Sequence, residues 1–166
     1  MTRLQLPVSA ALAVLMMSSF AGREAYSAAD PATIVKERQD FMGSFWPSYL
    51  KELAPIAKGA STDISHVEEK AVGLAAAARK IVGLFPQGTG RDVVATTRAR
   101  PEVWSDHAGF EAAAAAFVKE ADKLVAVAKE GKLEPIKAQI SATAQACFGC
   151  HEGPAKGGGK YRFEEK

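Results

Sequence analysis

Both cysteines of the chain stand near its C-terminus, as Cys147-Phe-Gly-Cys150, and His151 follows them directly. Two thiols beside an imidazole can serve a redox dithiol, a zinc site or the covalent attachment of haem. Because helix positions three and four residues apart share a face, we expect the three side chains to point the same way. A haem against that face can form thioether bonds with both sulfur atoms while the histidine binds its iron.

The two alternatives to haem fit the surrounding sequence less well. A redox dithiol needs a lowered thiol pKa, which a helix N-terminus after a strand provides, whereas these cysteines close a helix. Zinc needs four ligands, and the other histidines, His66 and His107, are far apart in sequence among polar neighbours. We interpret those two as solvent-facing helix residues. The pattern therefore favours haem.

The N-terminal segment indicates export. Arg3 precedes a long apolar run, and small residues follow that run. This pattern predicts a secretory signal peptide over residues 1–29, cleaved after Ser27 or Ala29. We therefore expect a periplasmic protein with no membrane span once the segment is removed. In such an oxidising compartment, two neighbouring free thiols would form a strained disulfide or be consumed by a ligand.

The charge and length of the remaining chain limit its partners and its number of domains. Residues 30–166 carry 19 basic and 18 acidic side chains, of the 21 and 19 in the whole sequence, because residues 1–29 hold two arginines and one glutamate. This near-neutral balance predicts no nucleic-acid partner. The length suits one domain with one core. We place that domain at 30–152 and expect a tail rich in glycine and lysine at 153–166.

Apolar side chains recur every three or four residues in four segments, and no strand pattern is present. Helix A follows an N-cap at Asp30 and should bend after Trp46, where Pro47 removes a backbone donor. The expected helices are A from Pro31 past Pro55, B from Ser61 or Thr62 to Phe85, C from Pro101 or Ser105 to Gly131, and D from Pro135 through His151. Together they predict an all-α fold, an antiparallel four-helix bundle with a covalently attached haem near the C-terminus.

Five motifs, taken in order, resemble the cytochrome c′ family, the four-helix c-type cytochromes that are a standard example of this bundle. They are VKERQ at 35–39, LAPIAKG at 53–59, LFPQGT at 84–89, RPEVWSD at 100–106 and CFGCH at 147–151. The resemblance covers nearly all of the chain after residue 29. It implies one haem c, bound covalently through Cys147 and Cys150, and a protein that is not an enzyme.

The resemblance also implies the iron ligands. The motif histidine of that family is the proximal ligand, which corresponds to His151. The distal position lies four residues after the arginine of the RQ pair, which from Arg38 gives Met42. Counting back from the AKG motif gives Gly43 instead, so this first helix is one residue longer than usual. We expect the region around Pro47 to absorb the extra residue.

Two functions follow from what stands at the distal position. If Met42 binds the iron, the protein is a six-coordinate electron carrier with redox partner proteins, and this is our main expectation. If Met42 is only a core residue, the iron is five-coordinate and binds nitric oxide or carbon monoxide. Arg38 is costly to bury unpaired, so we expect it to meet the haem propionates, or else to reach solvent or a nearby acid. A homodimer through helices A and B is common in the family.

The sequence departs from the family after the haem motif. Members usually carry an aromatic residue and an arginine a few residues after the histidine, whereas here EGPAKGGG precedes Lys160, Tyr161 and Arg162. Either the pair folds back over this insertion or its role is lost. The glycine run does not fit a phosphate loop and is typical of a surface tail.

Overall fold

The computed structural model describes residues 29–151 and 159–163. Within these ranges the chain is helical, apart from turns, loops and an isolated antiparallel β-bridge between Ala99 and Arg162. Residues 1–28 of the expected signal peptide and most of the expected tail lie outside the described residues. No helix in the described part is long and apolar enough to cross a lipid bilayer.

The expected helix A consists of three consecutive segments, which are α1 (Pro31–Phe45), a π-helical turn (Trp46–Leu50) and α2 (Lys51–Ala57). Asp30 caps α1 as expected, because its carboxylate accepts a hydrogen bond from the Thr33 amide at 3.1 Å. The irregularity expected after Trp46 takes the form of the π turn, where Pro47 contributes no amide hydrogen. A π turn holds one residue more than an α turn, so this segment can take up one extra residue.

Helix B is shorter at both ends than the periodicity predicts. It is α3 (Val67–Ala78), so the expected start at Ser61 or Thr62 is wrong and Phe85 lies beyond its end. Asp63 explains the late start, because its carboxylate accepts hydrogen bonds from the amide and the hydroxyl of Ser65 at 3.0 and 2.7 Å. Such local side-chain bonds hold a turn that competes with helix.

Helix C begins and ends close to the expected residues, whereas helix D begins close to Pro135 but ends at Ala146, before His151. The structure has α4 (Glu102–Ser105), α5 (His107–Lys129), α6 (Leu133–Ala146) and a 3₁₀ turn (Cys147–Gly149). Asp106 separates α4 from α5 and caps α5 by accepting a hydrogen bond from the Gly109 amide at 3.3 Å. Gly131 follows α5 with φ of +64°, the left-handed conformation of a C-terminal cap.

The helices pack as the predicted four-helix bundle, with α1 and α2 together as one of its members. Helix α5 contacts both α3 and α6, and α2 contacts α6. Ala71, Ala75 and Ala78 are buried on α3, and such small side chains let two helices approach closely. Larger buried side chains, including Leu53, Leu74, Leu124 and Ile136, fill the core. This packing fixes α1, the start of α5 and the end of α6 around one cavity.

Candidate cofactor site

A cavity of about 430 Å³ opens between α1, α5 and the end of α6. This volume falls within the range of roughly 300–1,000 Å³ that is common for ligand and cofactor sites. Most of its lining is apolar, and the polar exceptions include arginines, the two cysteines and His151. Its lining includes Arg38, Met42, Gly43, Cys147, Cys150, His151, Tyr161 and Arg162. The site residues predicted from sequence therefore all border one space.

The two cysteines and the histidine line the same wall, but they do not stand on a continuous α-helix. Helix α6 ends at Ala146, and the chain tightens into the 3₁₀ turn that begins at Cys147. The Cys150 amide donates to the Cys147 carbonyl at 3.2 Å, and the His151 amide donates to the same oxygen at 2.9 Å. The expectation of a shared face is met, while the expected continuation of helix D through His151 is wrong. We call residues 147–151 the attachment turn.

Burial disfavours the thiolate form of both cysteines. It raises the pKa of Cys147, and burial followed by the proximity of Cys147 raises the pKa of Cys150 to about 11. Both cysteines are free in this structure. A thiol oxidoreductase needs a thiolate, and the described residues around the attachment turn do not bring the pKa of either thiol below its ordinary value. In the ranges 29–151 and 159–163, no group of three or more His, Cys, Asp or Glu side chains could hold a metal ion.

Arg38 is a buried cation on the cavity wall. Its guanidinium donates to the Thr89 hydroxyl at 2.7 Å, to the Thr89 carbonyl at 2.7 Å and to the Thr97 hydroxyl at 2.5 Å. The ring centroids of Phe85 and Trp104 lie 4.7 and 5.8 Å from the guanidinium carbon. Only 2% of Arg38 is exposed, so the alternative that it reaches solvent is wrong. The alternative that it pairs with an acid is also wrong for the described residues.

The charge of Arg38 therefore has no counter-charge in the described part of the protein. Desolvation lowers the pKa of the guanidinium, with no opposing contribution from a carboxylate. A buried charge without a partner costs several kcal/mol, roughly the effective penalty per ion after relaxation. The donor set therefore fits a cofactor that brings its own carboxylates, such as the haem propionates. The cavity and the attachment turn fit the same group.

Met42 and Gly43 both border the cavity from α1. The α-helix is regular from Pro31 to Phe45, so the four-residue spacing from Arg38 to Met42 is undisturbed. The π turn comes after this stretch, and counting back from the AKG motif therefore crosses it. This accounts for the one-residue disagreement between the two ways of counting. The register of α1 supports Met42 rather than Gly43 as the residue at the distal position.

Tyr161 and Arg162, which follow the glycine-rich insertion in sequence, return to the bundle. Tyr161 is buried, and its amide donates to the Cys150 carbonyl at 3.4 Å. Its carbonyl accepts from the Arg100 amide at 3.0 Å, and the Phe163 amide donates to the Arg98 carbonyl at 2.8 Å. The end of the described chain thus pairs with the loop before α4. Of the two alternatives for this pair, return to the bundle is the observed one.

Sequence reasoning missed the two threonines that hold Arg38. Thr89 and Thr97 are each 1% exposed, although they lie in the irregular chain between the 3₁₀ turn Val82–Leu84 and α4. The indole of Trp104, which also packs near Arg38, donates to the Phe85 carbonyl at 3.1 Å. The available signal was a pair of threonines in a loop otherwise rich in charged residues. Such a signal does not identify a partner 51 or 59 residues away.

Comparisons with known proteins agree with this geometry. The family model described as Cytochrome C' matches residues 33–153. A cytochrome c′ of Rubrivivax gelatinosus is 37% identical over 105 residues, which cover 63% of this chain and 81% of that protein. A cytochrome c′ of Alcaligenes xylosoxydans xylosoxydans is 31% identical over 126 residues, which cover 75% of this chain and 94% of that protein.

Solved structures match over a similar extent. A nitric oxide complex of a leucine variant of cytochrome c prime from Alcaligenes xylosoxidans is 28% identical, with a TM-score of 0.69. It covers 82% of this chain, which in turn covers 98% of it. A carbon monoxide complex of another leucine variant has 28% identity and a TM-score of 0.68 over the same shares. The chain therefore belongs to the cytochrome c′ family of four-helix-bundle haem proteins and carries one covalently bound haem c.

Proposed function

We propose that this protein binds nitric oxide or carbon monoxide at a five-coordinate haem iron. Cys147 and Cys150 hold the haem through thioether bonds, and His151 is the proximal ligand. When bound, the haem supplies an iron with one open position that accepts a small gas. Arg38 pairs with the haem propionates, and Met42 borders the distal side without binding the iron. The electron-carrier expectation thus becomes the second candidate.

One observation carries this proposal, which is the apolar part of the lining that α1 and α5 contribute to the cavity beside the attachment turn. Ala113, Ala114 and Phe117 of α5 line it together with Gly43 and Met42 of α1. Apart from the thioether of Met42, these side chains offer no charged or hydrogen-bonding group to a ligand, and such a stretch of wall favours small neutral gases over anions. The structural relatives that were solved as nitric oxide and carbon monoxide complexes support the same choice.

The attachment residues and Arg38 each have a defined role in this proposed site. Cys147 and Cys150 remain neutral thiols until the haem is attached, and the turn between them holds both sulfur atoms toward the cavity. The carbonyl of Cys147 accepts the His151 amide, which fixes the backbone of the ligand histidine. Arg38 stays charged inside the bundle because two threonines solvate it and the propionates supply the opposite charge.

The second candidate is an electron carrier in which Met42 binds the iron. Its supporting observation is that Met42 borders the cavity in the register of the family's distal position. A thioether ligand is soft and favours the ferrous state, so histidine and methionine together would raise the reduction potential. This function would require redox partner proteins, whereas gas binding does not.

The absorption spectrum separates the two candidates. The five-coordinate protein should show a high-spin ferric spectrum, bind carbon monoxide rapidly when ferrous, and keep its spin state in Met42→Ala. The electron carrier should be low-spin with a methionine-to-iron charge-transfer band, and Met42→Ala should convert it to high-spin. Met42→Leu is the matched control, because it removes the sulfur while nearly keeping the side-chain volume. A low-spin wild type that both variants convert would overturn the proposal.

Export and assembly complete the proposed function. We propose that the protein works in the periplasm after loss of residues 1–29, as a binding protein rather than an enzyme. A homodimer through the first two bundle helices is proposed as well, because Trp46 is 59% and Val72 is 50% exposed on those helices. Sedimentation of the wild type and of a Trp46→Ser variant would test it, since only the wild type should then sediment as a dimer.

A further inference from the structure

Residues 159–163, which we call the strap, cover the part of the cavity next to the attachment turn. Tyr161 and Arg162 line the cavity themselves, and Gly159 and Tyr161 are buried. The Tyr161 amide bonds to the Cys150 carbonyl, one residue before His151. Its ring meets the ring of Phe110 edge to face at 5.4 Å. The strap is thus attached both to the attachment turn and to α5.

One carboxylate holds the strap on α5. The Tyr161 hydroxyl donates to Asp106 Oδ2 at 3.1 Å, and the Lys160 ammonium forms an ion pair with the same oxygen. The other oxygen of Asp106 accepts the Gly109 amide at 3.3 Å and so caps α5. The cap that starts α5 therefore also fastens the strap. We call Asp106 and Tyr161 the clasp.

The clasp requires a glycine at position 109. A Cβ atom there would lie 2.6 Å from the Tyr161 hydroxyl oxygen and in still closer contact with the Asp106 carboxylate. Glycine is otherwise unfavourable inside a helix, and an alanine would favour α5 itself. Gly109, which has the lowest helix propensity of the residues in α5, thus stands where a larger side chain would displace the strap.

We propose that Tyr161 is a positioning residue that holds the strap across the cavity, and that the closed strap limits the entry of solvent and small ligands to the haem. Tyr161 acts through Asp106 on α5 and through the Cys150 carbonyl on the attachment turn. Phe163 secures the far end, because the guanidinium carbons of Arg91 and Arg100 lie 4.7 and 4.9 Å from its ring centre. The ligand part of this inference rests on the proposed haem site, whereas the strap itself does not.

The test uses the haem-loaded protein and three variants. Tyr161→Phe removes the hydroxyl and keeps the ring, and Gly109→Ala displaces the clasp without removing a polar group. Lys160→Ala is the control, which removes an exposed ion pair with Asp106 and a cation–π contact with the Tyr161 ring. Hydrogen exchange of the peptides that contain Arg100 and Phe163 measures opening of the strap. Stopped-flow mixing of the ferric protein with imidazole measures access to the haem.

Tyr161→Phe and Gly109→Ala should each accelerate exchange in those peptides about 2- to 10-fold, the effect of losing one ordinary hydrogen bond. Imidazole association should accelerate by a similar factor, and exchange around Leu124 in the core should not change. Lys160→Ala should stay within about twofold of the wild type, as exposed ion pairs contribute little.

Two results would overturn the inference. Unchanged exchange in both Tyr161→Phe and Gly109→Ala would show that the clasp does not hold the strap. Faster exchange with unchanged imidazole association would show that the strap does not limit access. A low-spin wild-type spectrum would contradict the proposed gas-binding function, but the exchange result would still decide the strap, so the two failures are distinguishable.

Discussion

Replacing Arg38 by methionine tests whether the buried guanidinium has an anionic partner in the haem-loaded protein. The hydrogen bonds of Arg38 go to three neutral oxygen atoms of Thr89 and Thr97. Two of these atoms keep another bond without Arg38, because the Thr89 hydroxyl donates to the Pro86 carbonyl at 2.8 Å and the Thr97 hydroxyl accepts from the Ala99 amide at 3.2 Å. Only the Thr89 carbonyl loses its partner.

The change in the free energy of unfolding depends on whether Arg38 has that anionic partner. Leaving the Thr89 carbonyl unpaired costs about 1–3 kcal/mol. If no propionate is present, the substitution also removes an unpaired buried cation and so relieves a desolvation penalty of several kcal/mol. This gain offsets the cost of the unpaired carbonyl, and the free energy of unfolding should hardly fall. If Arg38 is paired with a propionate, the substitution instead breaks a buried ion pair, which typically costs about 3–5 kcal/mol.

Urea denaturation of the haem-loaded wild type and Arg38→Met decides between these outcomes. We expect a loss of about 3–5 kcal/mol, together with a lower reduction potential, because unneutralised carboxylates near the iron favour its ferric state. Arg79→Met is the control, since Arg79 pairs with Asp122 at an exposed site and should cost under about 1 kcal/mol. A loss below about 1 kcal/mol in Arg38→Met, with an unchanged potential, would refute the pairing with a propionate.

Two further predictions concern packing and pH. A Cβ at Gly73 would lie 2.7 Å from the Tyr49 ring, so Gly73→Ala should gain about 1 kcal/mol of helix propensity but lose about 1–3 kcal/mol to overpacking. The net loss should appear in urea denaturation, whereas Gly83→Ala, which meets nothing within 4 Å, should show none. Hydrogen bonds from Lys160 and Tyr161 lower the pKa of Asp106 in the folded protein. The clasp should therefore be intact above the unfolded-state value of about 3.9 and weaken as the pH falls below it. Hydrogen exchange of the strap at pH 5 and pH 3 measures this, and a pH response that persists in Asp106→Asn would contradict the assignment.

Much of the site was predictable because its signals are local. The attachment motif specifies two thiols and an imidazole within five residues, and any helix or tight turn brings such neighbours together. Local capping was predicted for the same reason, at Asp30 before α1 and at Gly131 after α5. Periodicity predicted the four-helix fold, which the structure and the relatives confirm.

Periodicity failed where a local bond or a distant contact competes with it. An apolar stripe continues past both ends of α3, but the Asp63 turn delays the start and the loop after Ala78 takes the chain out of the helix. The attachment turn likewise leaves the α-helical path at Cys147 while its side chains still face the cavity. Spacing determines which side chains are neighbours more securely than it determines the backbone that carries them.

By itself, the sequence determined the haem motif, the helical periodicity that predicts a bundle and the four-residue spacing from Arg38 to Met42, because each is a pattern of residues spaced within about one helical turn. Only the tertiary structure decided what surrounds Arg38, since its partners Thr89 and Thr97 lie in a loop without periodicity. It likewise decided where Tyr161 goes after the glycine-rich insertion. Contacts across tens of residues depend on how the whole bundle packs, and no short stretch of sequence encodes them.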